Sequence, residues 1–345
     1  MRGMPLVVLS AVGLALTACA SPASPSATTG TASLKVLCTV DEAWCIKQVE
    51  AFQAETGIPT TFERMSAGDA LSLIRGAAGK PEFSVWWGGA SDNYEAAKGD
   101  GLLEPYQSPN AAGVDTRHKD AEGLWTGIYA GVLAFCSNSD TLRKDGVSAP
   151  ASWDALLSPK LQGQVSMAHP STSGTAYTAL WTLRTLLGSD DATFAYLNEL
   201  QANVGAFTKS GSAPVGKVSE GNAAVGVVFA HDCLTAINSG AQELRVSFPT
   251  EGTGYEIGAT ALLKGAPNPD AARRWIDWVL TAKAQEIGAQ AGAFQLPLNP
   301  DAVVSPLSVQ LQDVTLVDYN AAEAGAQRAD LTTRFEEQIG AAPTE

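Results

Sequence analysis

The sequence predicts an α/β protein of two lobes, each a mixed sheet flanked by helices, with two hinge crossings between them. Three observations lead there. Short apolar strands alternate with amphipathic helices over residues 33–100. That rhythm gives way after residue 135 to a second set of strands and helices and resumes at 255. The roughly 310 residues beyond an N-terminal leader exceed one ordinary domain of ~150 residues.

The elements follow in order. An apolar strand over 33–40 leads into a helix over 42–56 that turns Trp44, Val49 and Phe52 inward and stops at Gly57 and Pro59. A strand over 60–65, a polar helix near 69–78 and an apolar run over 83–87 closing in Gly88-Gly89 come next, and a further helix carries Tyr94 and Ala97. For this stretch a mainly parallel sheet is expected. A long apolar strand covers 124–135, and the new set begins at 153–157 and 165–169. Two amphipathic helices follow: 175–187 buries Leu180, Leu183 and Leu187, and 192–201 buries Phe194, Leu197 and Leu200. Strand 223–229 ends in His231-Asp232; strands 244–248 and 254–263 precede a helix over 269–291 with Trp275, Ile276 and Val279 inside. Crossings near 135–138 and 248–255 divide the chain into lobe 1 (33–135 plus 255–345) and lobe 2 (136–254), a geometry in which a cleft closes on a ligand.

Residues 1–19 have the form of an export signal: Arg2, an apolar stretch over 6–16 too short to span a bilayer, then Thr17-Ala18-Cys19. Leu16-Thr17-Ala18-Cys19 resembles a lipobox, which implies lipidation of Cys19 and a protein anchored on the outer face of the cytoplasmic membrane, or periplasmic. Residues 20–32, rich in Ser, Pro, Thr and Ala, form a tether. With 22 Lys and Arg against 36 Asp and Glu, the net charge of -14 opposes nucleic acid as a partner. Backbone amides still allow an anionic ligand. Of five cysteines, four remain beside Cys19, and an oxidising compartment favours pairing Cys38 with Cys45 and Cys136 with Cys233. The second pair is placed in two neighbouring strands. No CxxC or cysteine–histidine cluster suggests a metal, and no cofactor is expected.

Four segments in this order and spacing carry a resemblance: Val85-Trp86-Trp87-Gly88-Gly89, Gly101-Leu102-Leu103-Glu104-Pro105-Tyr106, His169-Pro170-Ser171-Thr172-Ser173-Gly174-Thr175-Ala176-Tyr177, and Val225-Gly226-Val227-Val228-Phe229-Ala230-His231-Asp232. Over nearly all of the mature chain the sequence resembles the type 2 class of periplasmic binding proteins. Within it the nearest branch is that of the ferric-ion, phosphonate and hexose-phosphate binders. The resemblance implies a monomeric solute-binding protein of an ABC importer, with permease and ATPase components as partners.

Ser171, Thr172, Ser173, Gly174 and Thr175 lie between a strand and a helix start, where hydroxyls and the amides of Ser173, Gly174 and Thr175 converge on an anion. Charge-assisted hydrogen bonds contribute about 1.5–3 kcal/mol each, so three or four hold a phosphate without an arginine. Plain helix capping would need one such residue. Thr39, Gly88 and Gly89 fall at carboxyl ends of strands, where open α/β sheets bind ligands; Ser66 does too and serves equally as a turn residue. Trp87 offers a stacking face, although strand alternation sends one of Trp86 and Trp87 into the core. His118 and His169 are expected at the surface and in a loop.

His231 and Asp232 close an otherwise apolar strand and face either a cleft or buried partners. The resemblance implies contacts to sugar hydroxyls, shared with a glutamate from the next crossing, a place that Glu251 occupies. The ligand expected is thus a sugar phosphate or related organophosphate, with phosphonate or ferric iron as alternatives. Ferric binders of the branch carry an adjacent tyrosine pair, and none of the seven tyrosines here adjoins another. A secreted hydrolase is the competing class, but no GxSxG elbow exists and nothing singles out a carboxylate pair.

Overall fold

The computed structural model describes residues 33–77, 79–340 and the single positions 1, 3 and 343. The chain divides into Met1–Gly30 and Thr31–Glu345, and the fold is that of the second unit. The expected signal peptide, Cys19 and the tether lie outside the described residues.

The first stretch contains β1 (Leu34–Cys38), α1 (Glu42–Thr56), β2 (Thr60–Arg64), α2 (Ala67–Ala77), β3 (Val85–Ala90), α3 (Ser91–Gly99) and β4 (Leu103–Glu104). Next comes β5 (Thr126–Asn138), followed by α4 (Ser139–Asp145), β6 (Val165–Ala168), α5 (Gly174–Leu187), α6 (Asp190–Leu200) and β7 (Val204–Thr208). Then α7 (Ala213–Ser219), β8 (Val225–Phe229), α8 (Ala230–Asn238) and β9 (Leu244–Ser247) complete the second set. The chain returns through β10 (Tyr255–Leu263), α9 (Pro269–Val279), α10 (Ala282–Gln285), α11 (Ile287–Gln290), β11 (Leu296–Pro297) and α12 (Ala321–Gln338). Local chemistry sets the ends: α1 stops at left-handed Gly57, whose amide donates to the Gln53 carbonyl, and the Ser173 hydroxyl caps α5.

The strands run in the order β2-β1-β3-β10-β5-β8-β6-β7, with β4 on β10 and β9 and β11 on β5. Helical crossovers make β2, β1 and β3 parallel, and likewise β8, β6 and β7. The parallel pairing expected for the first stretch holds for β2, β1 and β3, and the sheet as a whole is mixed, as the fold class predicts. β5 leaves it and β10 re-enters it, so β10 lies antiparallel to both β3 and β5. One long strand serves both halves: β5 pairs with β10 as far as Val132 and with β8 from Leu133 onward.

Several boundaries differ from expectation for local reasons. The helix expected over 269–291 is three helices, because the Thr281 hydroxyl caps the Ala284 amide and starts a new one. His231 and Asp232 belong to the first turn of α8 and not to a strand end, which also places Cys233 on a helix. The two cystines Cys38–Cys45 and Cys136–Cys233 pair as expected. His169 is buried against Phe207 and Phe335. Among the described residues no helix is long and apolar enough to cross a membrane.

The C-terminal helix α12 touches both sets. Leu331, Phe335 and Ile339 pack into the core formed by Phe135, Tyr177, Leu180 and Phe207 of the second set. At the same time α12 lies on α3 of the first set, so closely that a Cβ at Gly325 would stand 2.7 Å from the Asp92 carbonyl oxygen. Buried Arg328 fastens this strap: its guanidinium reaches Asp92 Oδ1 at 2.9 Å and the Pro170 carbonyl at 3.2 Å, and stacks over Tyr177. Tyr319 and Asn93 donate to the same carboxylate at 2.9 and 3.0 Å.

Arg328→Met strands the buried Asp92 carboxylate and should cost about 3–5 kcal/mol in a urea titration, much of it recovered on adding Asp92→Asn. A loss below about 1 kcal/mol would show that Tyr319 and Asn93 satisfy Asp92 unaided.

Candidate functional site

The carboxyl ends of the parallel strands from both sets face one cleft of about 510 Å3, counting the part open to solvent. From the first set come Thr39, Val40 and Asp41 after β1, Arg64 at the end of β2, Ser66 and Ala67 where α2 begins, and Gly89 and Ala90 at the end of β3. The second set supplies Ser173, Gly174 and Thr175 at the start of α5, Ser210, Gly211 and Ser212 before α7, and Phe229, His231 and Asp232 at the start of α8. Tyr129, Glu256 and Gln295 form the floor.

One end of the cleft is built of small polar groups. The His169 carbonyl accepts from the Ser173 amide at 2.9 Å and the Thr172 amide at 3.2 Å, which tightens the turn before α5. The Ser173 amide is therefore spent and not available to an anion as expected. The amides of Gly174 and Thr175, in the first helical turn, meet no acceptor among the described residues. Gly211 has no side chain because it packs here: a Cβ would lie 2.0 Å from Thr175 Oγ1 and 2.9 Å from Ser173 Oγ. Ser210 and Ser212 thereby join the cradle, their hydroxyls 3.2 Å apart. An arginine does enter: Arg64 donates to Ser210 Oγ at 3.4 Å and to the Val40 carbonyl at 3.1 Å. Behind the turn, burial pushes the His169 imidazole below its ordinary value, which keeps it neutral, with Nδ1 2.7 Å from Ser171 Oγ.

The other end gathers carboxylates. Asp41 occupies the N-cap position of α1 yet makes no capping bond, so its carboxylate is left to the cleft. Burial raises it, against the pull of Arg64. Burial holds Asp232 well above the usual carboxylate range, with repulsion from Asp41 adding and Arg64 opposing. Glu256 is raised likewise by burial and then by Asp232, Asp92 and Asp41. Burial drives His231 down to about 3, so it is neutral at physiological pH. Its Nε2 lies 3.6 Å from Asp232 Oδ1, beyond hydrogen-bond length, and its Nδ1 has no partner among the described residues. Gly131 on β5 makes room for both: a Cβ there would stand 2.7 Å from His231 Cε1 and 3.1 Å from Glu256 Oε1. On the floor, the Gly89 amide donates to the Tyr129 hydroxyl at 3.0 Å, with Gly88 and Gly89 both at positive φ.

Of the residues singled out in the sequence, Thr39, Ser66, Gly89, Ser173, Gly174, Thr175, His231 and Asp232 line this one cleft. Five residues do not line the cleft. Trp87 is core, edge-on to Trp44 and Trp275, because its side of β3 faces α1 and α9. Gly88 packs against Val40 behind the wall. Ser171 and Thr172 turn away from the cleft, and the Thr172 hydroxyl donates to the Lys209 carbonyl at 2.9 Å. Glu251 accepts from the Trp153 amide, and the glutamate that reaches the cleft is Glu256, five residues on and directly opposite Gly131 in the β10–β5 ladder. Ser210-Gly211-Ser212 repeats the small polar pattern of 171–175 and lies between β7 and α7, two short elements that periodicity does not mark. No local pattern marks Asp41, Arg64, Tyr129 or Gln295. Among the described residues no cluster of three or more His, Cys, Asp or Glu is arranged to hold a metal ion.

A two-halved α/β body with strand ends converging on a polar cleft is the type 2 periplasmic-binding-protein fold. The bacterial extracellular solute-binding protein profile matches residues 90–321, and the chain belongs to that family of extracytoplasmic transport proteins. An uncharacterised Haemophilus influenzae protein is 34% identical over 314 residues, covering 89% of this chain and 90% of that one. The periplasmic binding protein AfuA from Actinobacillus pleuropneumoniae, solved with exogenous fructose-6-phosphate bound, superposes with a TM-score of 0.87 at 34% identity, over 90% of this chain and 99% of that one. A Salmonella typhimurium protein described as a putative 2-aminoethylphosphonate-binding periplasmic protein is 26% identical, covering 71% of each chain.

Because its folded-state pKa is raised, Glu256 favours the fold below its ordinary 4.5, and that contribution is lost as pH rises toward the folded value. Ligand-free Glu256→Gln should therefore melt higher than the parent at about pH 8, the gap closing by about pH 4. A variant that melts lower at the alkaline end would mean the carboxylate is already paired.

Proposed function

We propose that this protein captures a sugar phosphate or related organophosphate in the cleft and delivers it to an ABC importer without transforming it. The observation that carries the reading is the opposed chemistry of the cleft's two ends. At one, the Gly174 and Thr175 amides, the Ser173, Thr175, Ser210 and Ser212 hydroxyls and Arg64 suit a phosphoryl group. At the other, Asp41, Asp232, Glu256 and neutral His231 offer the mixed acceptors and donors that ring hydroxyls require. The fructose-6-phosphate in AfuA and the phosphonate named for the Salmonella relative share the phosphorus oxyanion this cradle would take. Catalysis finds little support: His231 holds no hydroxyl nucleophile, and its partner Asp232 does not orient it.

In this reading the lobes 33–135 plus 255–345 and 136–254 fold over the solute. Lipidation of Cys19 holds the molecule, as a monomer, at the outer face of the cytoplasmic membrane.

Thermal-shift and calorimetric titrations with fructose 6-phosphate, fructose, inorganic phosphate and ferric citrate test it. Fructose 6-phosphate at 100 times its dissociation constant should add about 2.7 kcal/mol of stability, with fructose inert. His231→Ala should weaken fructose 6-phosphate by about 0.5–1.5 kcal/mol while sparing inorganic phosphate. A shift with ferric citrate and none with any sugar phosphate would replace the reading with iron capture.

A further inference from the structure

The two sides of the cleft meet backbone to backbone where the first turn of α2 abuts the turn before α5. The Gly68 amide donates to the Thr172 carbonyl at 2.9 Å. A Cβ on Gly68 would stand 2.3 Å from the Ser171 carbonyl oxygen and 2.7 Å from the carbonyl carbon and oxygen of Thr172. Those are main-chain atoms, which cannot swing aside. Gly68 lies on ordinary helical backbone, so its conformation does not call for glycine, and glycine is a poor helix former. The close approach is what explains the residue. Gly76, on the same helix, has nothing within 4 Å of its Cβ position. Beside the contact, Ser66 Oγ donates to the Lys209 carbonyl at 3.4 Å, and a Cβ on Gly174 would reach Ala67 Cβ at 3.4 Å.

The turn that receives α2 is also the anion turn. Thr172 gives its carbonyl to Gly68, and two and three residues later the amides of Gly174 and Thr175 stand unpaired at the cleft. We infer that Gly68 sets closure: α2 docks on the back of the anion cradle through a contact only glycine permits, so gripping the phosphoryl group and shutting the cleft stabilise one arrangement. This deepens the proposed function and rests on it for the identity of the ligand. Gly68 is a positioning residue, since it does not line the cleft itself.

The test compares the full chain with Gly68→Ala and, as a helix-propensity control, Gly76→Ala. With fructose 6-phosphate as probe, G76A should bind like the parent and G68A about tenfold or more weakly, because the closed population falls. Melting temperatures without ligand should be no lower for G68A than for the parent. Hydrogen exchange at residue 68 supplies a readout independent of the ligand. As the second residue of α2 its amide has no intrahelical acceptor, so protection reports only the bond to Thr172. Protection is expected in the parent and in G76A and its loss in G68A. G68A binding within twofold of the parent, or residue 68 exchanging as a free amide in the parent with and without the probe, would overturn the assignment. If the parent ignores fructose 6-phosphate yet protects residue 68, and G68A loses that protection, the closing contact stands and the ligand reading falls.

Discussion

The structure depends on one shared strand. β5 is buried along all of its 13 residues because it belongs to two sheets in succession, turning from β10 to β8 between Val132 and Leu133. Every backbone group along it needs a ladder partner, and the change of partner is what separates the two halves without breaking the main-chain hydrogen bonding. The cleft opens at that point. Tyr129 and Gly131 stand just before the change, and Glu256 faces Gly131 across the ladder, so the floor of the cleft is part of a strand buried along its whole length.

On that floor the cleft concentrates groups that are costly to bury. Asp232 and Glu256 are held toward their neutral forms by desolvation and by repulsion from neighbouring carboxylates, and His231 is left with an unpartnered nitrogen among the described residues. In a protein selected for stability alone, these positions would be apolar or fully paired. Unmet hydrogen-bonding capacity is what a binding site must keep until its solute arrives, and the surrounding core of Trp44, Trp87, Trp275, Phe52 and Trp278 offsets it from below.

The contacts between the two halves differ in strength from place to place. α12 straps α3 to α5 through Arg328 and Asp92 far from solvent, and the cystines fasten the two segments that carry acids into the cleft: Cys45 follows Asp41 in α1, and Cys233 follows Asp232 in α8. The contacts across the cleft mouth are lighter: hydrogen bonds from Gly68, Ser66 and Arg64 to the opposite side. Few contacts of modest strength suit the closure proposed for this cleft.

By itself the sequence determined the elements and the local chemistry at their ends. Periodicity and breakers located β1, α1, α5 and β8 to within a few residues, and the run from Ser171 to Thr175 announced a helix start rich in hydroxyls and free amides. Such signals are written in neighbours one to four positions apart. What only the tertiary structure decided was which of these groups share a space. The β10–β5 register chose Glu256 over Glu251, the side of β3 that faces α1 and α9 sent Trp87 inward, and the approach of two helix starts explained Gly68. Each depends on pairings between segments tens to hundreds of residues apart, where a shift of one position reverses the side on which a residue lies.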